Sequence, residues 1–254
     1  MIFEPLNVFF DKIYVLTLQR ATDRHAHIAN ELQGLNYSWW YGADKTSLNL
    51  PQLQQDNLFN PSLARQHHLT GKDMRPGEMG CAISHRMMYE DVVKNGYQKV
   101  LILEDDVVID KTALASFSKA VAELPANWQL WYLGFDKNDQ PPGNAFFKKM
   151  LYHFLYAIGL KKTYNHTQIN HLYASPYSAH LATAGFHFCT HAYAITNQAA
   201  DILLHMQTPV SYVADHLLGY ATSGKKINGF INKPPMINQQ YQVSSTPIKS
   251  YLHQ

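Results

Sequence analysis

The sequence predicts an α/β fold built on an open sheet, and three observations carry that expectation. It opens strand–helix–strand, with "KIYVLTL", then "QRATDRHAHIANELQGL", then "YSWWYGADK". This is the usual start of an open nucleotide-binding sheet. An uninterrupted aliphatic run, Val100 to Leu103 in "KVLILEDDVVID", reads as a buried strand that stops at three acids, Glu104, Asp105 and Asp106. Open sheets of this kind place ligands at the carboxyl ends of their strands. Hydrophobic residues make up 46% of the 254 positions and charged ones 16%, enough for a substantial core and too apolar for a disordered chain.

Taken in order, residues 12–18 form the first strand, a β-branched and aromatic run. Thr22 or Asp23 caps the next helix, Ile28 and Leu32 lie on one side of it, and Gly34 stops it. A second short strand ends in a turn at Gly42. Residues 47–72, rich in Gln and Asn, read as loop with short helical pieces. Pro76 and Gly77 punctuate the chain before a helix over about residues 80–94. Ile83, Met87 and Val92, with Met88 beside them, face the sheet, and Asn95 and Gly96 end the helix. The acid-ended strand follows, then a helix over residues 112–123 and a strand in "WQLWYLGF". From Pro141 the organisation changes. "FFKKMLYHFLYAIGLKK" sets Phe147, Met150, Leu151, Phe154 and Ile158 along one helical stripe, with Lys148 and Lys149 at its start and Lys161 and Lys162 at its end. This stripe suits either a core-facing helix, the reading preferred here, or one resting on an anionic membrane. "AGFHFCTHAYAITNQAADILLHM" reads as loop, strand and helix, and "PVSYVADHLLGYAT" as a loop opening a further helix. The last thirty residues read as irregular.

Composition narrows the function classes. A formal charge of +2 argues against a nucleic-acid binder. Two cysteines outside any CxxC arrangement, Cys81 and Cys189, make neither a disulfide framework nor a structural zinc site, which suits a reducing compartment. "MIFEPLNVFFDK" has no basic region before its apolar patch, so it does not read as a signal peptide. No window reaches the roughly 18 apolar residues of a membrane-spanning helix. The expected location is the cytoplasm.

Three carboxylates behind four aliphatics repel one another, so a cation is expected among them. A divalent ion held by hard oxygens cancels the repulsion, and one that also bridges a diphosphate stabilises charge on a leaving nucleotide. The plain alternative is capping of the next helix or simple solvation. Other chemistries lack their marks. An aspartyl-phosphate phosphatase wants a small Gly-Thr turn where "DDVVID" stays apolar, and neither GxxxxGK[ST] nor GxGxxG after the first strand is present.

"IYVLTLQRATDRHAHI", "RPGEMGCAISHRMMYEDVV", "VLILEDDVVI" and "THAYAITNQAA" together resemble glycosyltransferase family 25, the bacterial lipopolysaccharide and lipooligosaccharide galactosyltransferases, related to collagen galactosyltransferases. The string from Gly77 through Glu78, Gly80, Cys81 and Ser84 to His85 is its most specific piece, and the likeness spans roughly residues 10–220. The resemblance implies a GT-A-type, Rossmann-like nucleotide-binding sandwich with a C-terminal acceptor-binding part. Residues 1–140 would bind the nucleotide-sugar, and 141–254 would form a helical and irregular acceptor-binding part of the same domain. It also implies a UDP-sugar donor, Mn2+ (or Mg2+), and inverting transfer, most commonly of galactose from UDP-galactose in β-linkage, onto a glycan that is lipid-linked. Two departures stand in the expected nucleotide pocket: Thr17 where the family often has Asn, and Asp44-Lys45 where it commonly has Asp-Gly.

Roles follow for individual residues. Asp106 is the leading metal ligand, and Glu104 is a second ligand or a partner of the ribose hydroxyls. Asp105, one step along an extended segment, is expected to face the other way. Leu18, Arg20 and Arg24 sit at the first strand-to-helix turn, where a guanidinium meets phosphate or stacks on a base. For Arg24 a surface salt bridge with Asp23 or Glu31 competes. Asp44 ends the second strand in the same pocket. Gly77, Glu78 and Gly80 are expected to form a tight turn with free N–H groups, followed by Ser84 and His85 one helical turn in. His85 either bonds donor or acceptor or pairs in the core. Inverting displacement needs a base for the acceptor hydroxyl, and Asp215 is the candidate, against a helix-capping role. His216 and His191 are alternatives, and Thr190 with His191 is expected to line the sugar pocket. A catalytically silent nucleotide-sugar- or glycan-binding protein of the same fold is the rival reading, and contact with the inner membrane is the further partner considered.

Overall fold

The computed structural model describes residues 2–160 and 163–243. Its sheet strands are β1 (Lys12–Thr17), β2 (Ser38–Tyr41), β3 (Lys99–Glu104), β4 (Val107–Ile109), β5 (Leu130–Asp136), β6 (Ser175–Pro176), β7 (Leu181–Thr183), β8 (Phe188–Thr196), β9 (Gly229–Asn232) and β10 (Ile237–Gln239). Eight of them form one sheet in the order β2-β1-β3-β8-β5-β9-β7-β6, and β10 and β4 make a separate antiparallel pair. The first half is parallel and Rossmann-like: β1 pairs β2 and β3 in parallel. The second half is mixed, because β8 runs antiparallel to both β3 and β5.

Apolar residues continue through β3 because the sheet is covered on both faces. Leu101 and Leu103 join one core with Ile13, Val15, Ile28 and Leu32, beneath the helix Thr22–Glu31. Val100 and Ile102 join the other with Tyr14, Met88, Tyr89 and Val92, beneath the helix Pro76–Asn95. Burying each such aliphatic side chain is worth roughly 1.5–3 kcal/mol, so the central strands anchor the acids at their ends.

The structure departs from the sequence expectation in five places. The long helix begins at Pro76, one turn early, since proline at a first helical position gives up an N–H that needs no partner there. Gly77, Glu78 and Gly80 therefore lie inside its opening turns and do not form a turn before it. The helix expected over 112–123 is two, Lys111–Leu114 and Phe117–Glu123, the first capped by Asp110. Residues after 141 supply β6 to β9 of the main sheet and β10 of the separate pair, so the second part of the chain is not only helical and irregular. Within the last thirty residues, β9 lies beside β5 and β10 pairs with β4, long-range contacts that no local pattern announces. Finally, the helix Ala145–Ala157 buries none of its residues, against the core-facing expectation, and Lys161 and Lys162 lie outside the described residues.

Candidate active site

A cavity of about 820 Å³ opens at the carboxyl ends of β1 and β3. It is lined from four directions: β1 and the turn after it (Thr17, Leu18, Arg20, Arg24), the start of the long helix (Gly77, Glu78, Cys81, Ser84), the acid corner (Glu104, Asp105, Asp106), and the segments after residue 188 (Thr190, Asp215, His216, Gln239).

The cation expected among the acids is, first of all, a side chain. Arg24 is buried and forms an ion pair with Asp105, and its Nη1 lies 3.8 Å from Asp106 Oδ2. Burial pulls the guanidinium pKa down, but the charges of Asp105 and Asp106 outweigh it and the net shift is upward. This corrects the expected surface placement of Arg24, which is buried at the acid corner; Glu31, offered as its surface partner, accepts the Ile109 N–H at 2.7 Å. Asp105 does not leave the cavity wall, because Thr17 Oγ1 donates to its Oδ2 at 2.6 Å while Arg24 holds the other oxygen. Thr17, noted above as a departure, is thus the residue that positions Asp105.

One guanidinium does not balance three carboxylates. Burial, followed by the charge of Asp106, pushes Glu104 up to about 8, and burial likewise raises Asp106. Asp106 receives only long contacts from Gln239 Nε2, at 3.3 and 3.5 Å. Without an ion, protons relieve this crowding; carboxyl groups held that way, with oxygens facing a cavity, fit a hard divalent ion that would take the place of the protons, and Glu104 and Asp106 are the residues that would hold it. A softer donor set adjoins them: Cys81 Sγ, His85 Nε2 and a Glu104 oxygen lie within 4.8 Å of one another, and His85 Nε2 is buried without a hydrogen-bond partner.

The remaining predicted residues divide by placement. Asp44 is not a lining residue; it holds Arg20 at the rim through a 2.5 Å contact from Nε, which keeps its carboxyl at about 2. Glu78 caps the long helix, its Oε2 accepting the Arg75 N–H at 2.8 Å. Gly80 lets the loop after β2 touch the helix, where an added Cβ would stand 2.6 Å from Ala43 O. Ser84 ties the same loop down, accepting from Ala43 N at 2.8 Å and donating to Gly80 O at 2.6 Å. His85 lies behind the wall, its Nδ1 2.6 Å from Tyr193 Oη, and burial drops its pKa to about 3. Thr190 reaches the corner directly, donating to Glu104 Oε1 at 2.5 Å. His191 is not in the sugar pocket as expected; the strand alternation turns it to the other face, with Nε2 3.1 Å from Ile237 O.

Asp215 stands in the first turn of the helix Ala214–Ser223, whose cap position, Val213, offers no side-chain bond. The carboxylate is therefore not spent on capping. Its Oδ2 accepts from Cys189 N at 3.3 Å, and Oδ1 is buried with no hydrogen-bond partner. His216 Nε2 lies 3.9 Å from that oxygen. Cys81 and Cys189 also line the cavity, but burial raises the first thiol well above its usual range and pushes the second up to about 12, so neither is a nucleophile at neutral pH. Sequence reasoning missed Gln239, Gln240 and Tyr241, which reach the cavity because β10 pairs with β4. Gln240 N donates to Asp106 O at 2.9 Å, and Tyr241 Oη lies 3.8 Å from Cys189 Sγ.

Fold and site together define a class: an α/β protein with a Rossmann-like parallel half and an acid-and-arginine cavity at the switch between the parallel and mixed halves of its sheet. The chain belongs to glycosyltransferase family 25, whose model, described as "Glycosyltransferase family 25 (LPS biosynthesis protein)", matches residues 10–218. Among curated relatives, the human "Inactive glycosyltransferase 25 family member 3" is 29% identical over 136 residues, 51% of this chain and 22% of that protein. "Procollagen galactosyltransferase 1" of Danio rerio is 28% identical over 131 residues, 49% of this chain and 21% of that protein. The chain thus spans about a fifth of the length of these relatives. Mouse xyloside xylosyltransferase 1, in its apo form, aligns at 13% identity with a TM-score of 0.35, over 85% of this chain and 62% of that one, a likeness too loose to carry an argument.

Proposed function

We propose that this chain is an inverting, metal-dependent glycosyltransferase that moves a hexose, galactose from UDP-galactose, in β-linkage onto a lipid-linked glycan of lipopolysaccharide or lipooligosaccharide. Its place of work is the cytoplasm. Among the described residues no helix is long and apolar enough to cross a membrane. One observation carries the reading: the carboxylates of Glu104 and Asp106 and the unpartnered oxygen of Asp215 line a single cavity. Family membership supports the reaction class, and the galactosyltransferase name of the zebrafish relative favours galactose.

In this mechanism Glu104 and Asp106 would hold Mn2+ or Mg2+, which when bound would supply positive charge to the departing diphosphate. Arg20, kept at the rim by Asp44, meets the same phosphates. Asp215 Oδ1 accepts the proton of the acceptor hydroxyl as that oxygen attacks the anomeric carbon. The bond from the sugar to UDP breaks on the opposite side, and its electron pair leaves with the nucleotide. Thr17 and Arg24 position Asp105, which in turn fixes the guanidinium beside Asp106.

A second reading has one observation in its favour, the word "inactive" in the human relative's name. There the cavity binds a nucleotide-sugar or glycan and turns nothing over. A UDP-galactose hydrolysis assay with Mn2+, repeated with EDTA, separates the two. The enzyme reading expects turnover that chelation abolishes, and absence of turnover across a panel of UDP-sugars while binding persists leaves the silent reading.

A further inference from the structure

The helix Ala145–Ala157 is amphipathic in the wrong sense for a helix on a folded core. Its inward side carries polar and hydroxyl-bearing groups. Lys149 donates to Asn170 O at 2.7 Å, Tyr152 stacks on Tyr164, and His153 contacts His166 at 2.7 Å and Asn170 Oδ1 at 3.0 Å. Tyr156 lies edge-on to His166. The outward side carries Phe146, Phe147, Met150, Leu151, Phe154 and Ile158, each between 49% and 72% exposed. Positions 147, 150, 151, 154 and 158 form one stripe at helical spacing, the stripe that an ordinary surface helix buries. A contiguous apolar face of this kind on a soluble protein marks a contact surface.

Charge identifies the occupant. Between Asp139 and Asp201 the sequence has no Asp or Glu, and its four lysines are Lys148, Lys149, Lys161 and Lys162, all within or just after this helix. A second copy meeting the same face would bring lysines together with no carboxylate in the segment to receive them. The outward stripe itself is apolar throughout and offers no hydrogen-bonding side chain through which a structured partner is read; Lys148, beside it, reaches over the Tyr152 ring, and Lys149 is turned inward to Asn170 O. An anionic lipid surface needs none: it takes the apolar side chains below the headgroups and the ammonium groups among the phosphates. We infer that this helix is an interfacial anchor that docks the protein on an anionic bilayer. Ring contacts run from it toward the cavity, Tyr152 to Tyr164, Tyr164 to Phe186, and Phe186 to His216, so docking sets the cavity wall in fixed relation to the membrane plane.

The inference stands apart from the catalytic reading, because its test contains no donor, metal or turnover. The full chain is sedimented with phosphatidylglycerol-containing vesicles and with phosphatidylcholine vesicles. Two variants are run beside it: Phe147→Ser/Met150→Ser/Phe154→Ser, and Lys148→Gln/Lys161→Gln/Lys162→Gln. All substituted positions that the structure describes are exposed, so unchanged thermal unfolding midpoints confirm folding. The wild type is expected to bind the anionic vesicles at least about tenfold more tightly than the neutral ones, and each variant to lose at least about tenfold on the anionic vesicles. Wild type remaining in the supernatant with both vesicles overturns the inference, and so does an apolar variant that sediments like wild type. A dimer on size-exclusion chromatography that the apolar variant converts to monomer overturns it in favour of self-association.

Discussion

Arg24 carries the only positive charge seated inside the acid corner among the described contacts, and its removal is the sharpest residue-scale perturbation. Arg24→Ala leaves Asp105 buried without its counter-charge, which costs roughly 3–5 kcal/mol when one partner of a buried pair is deleted. Arg24→Met combined with Asp105→Asn is expected to recover part of that loss, since Asp105 is then no longer a stranded charge, while Asp106 still lacks the guanidinium that lies 3.8 Å from it. Urea unfolding of both variants at neutral pH measures the difference, and equal destabilisation would contradict the pairing. Asp215 is a different kind of residue. Its Oδ1 bonds to nothing, so Asp215→Asn should leave UDP binding and the unfolding midpoint near wild type while lowering turnover about 10²–10⁴-fold. A variant with near-normal turnover would remove the base assignment.

At the scale of elements, the join between β5 and β8 depends on a residue without a side chain. The pairing shifts register around Gly134, where an added Cβ would stand 2.1 Å from Ile237 O and 2.2 Å from His191 Nε2. Gly134→Ala is therefore expected to push β10 from β5 and β8, loosening Gln239 from Asp106. Its unfolding midpoint should fall by more than that of Gly143→Ala, where nothing lies within 4 Å. Equal effects would show that this contact does not matter. Legibility in the sequence followed the same division. β1, β3 and the long helix announced themselves because their signals are local: aliphatic runs, helical spacing and a terminal glycine. β10 did not, because three residues of "INQ" mean nothing until β4 is beside them. Asp105 was misdirected for a related reason, since alternation along the strand ends where β3 stops at Glu104 and a turn begins. The exposed helix Ala145–Ala157 was legible as a stripe, but the stripe does not say which way it faces.

For the molecule as a whole, buried imidazoles set the acid limit. His187 is fully buried; its Nδ1 donates to Lys137 O at 2.8 Å and its Nε2 accepts from Gly185 N at 3.0 Å, an arrangement that needs the neutral ring. Burial lowers its pKa from 6.5 to about 4, and that of His191 likewise to about 4. Unfolded, both rings take up protons below about 6.5. Their contribution to stability is therefore complete above that pH and is lost as pH falls toward 4, by up to about 3 kcal/mol each. Glu104 and Asp106, whose carboxyl pKa values burial raises, shift stability the other way over this range, so the ring's share is read as a difference: from pH 7 to pH 4 the urea midpoint of wild type should fall relative to that of His187→Gln. Parallel pH profiles for the two proteins would contradict the neutral-ring assignment.

The sheet brings Glu104, Asp106 and Asp215 to one cavity and leaves negative charge there that Arg24 does not cancel. Isothermal titration of the full chain with Mn2+, with and without UDP, tests that arrangement most directly. Wild type should bind the ion, more tightly with UDP present, and Asp106→Asn should weaken uptake at least about tenfold with the fold intact. No manganese uptake by wild type in either condition, or uptake unchanged in Asp106→Asn, would contradict it.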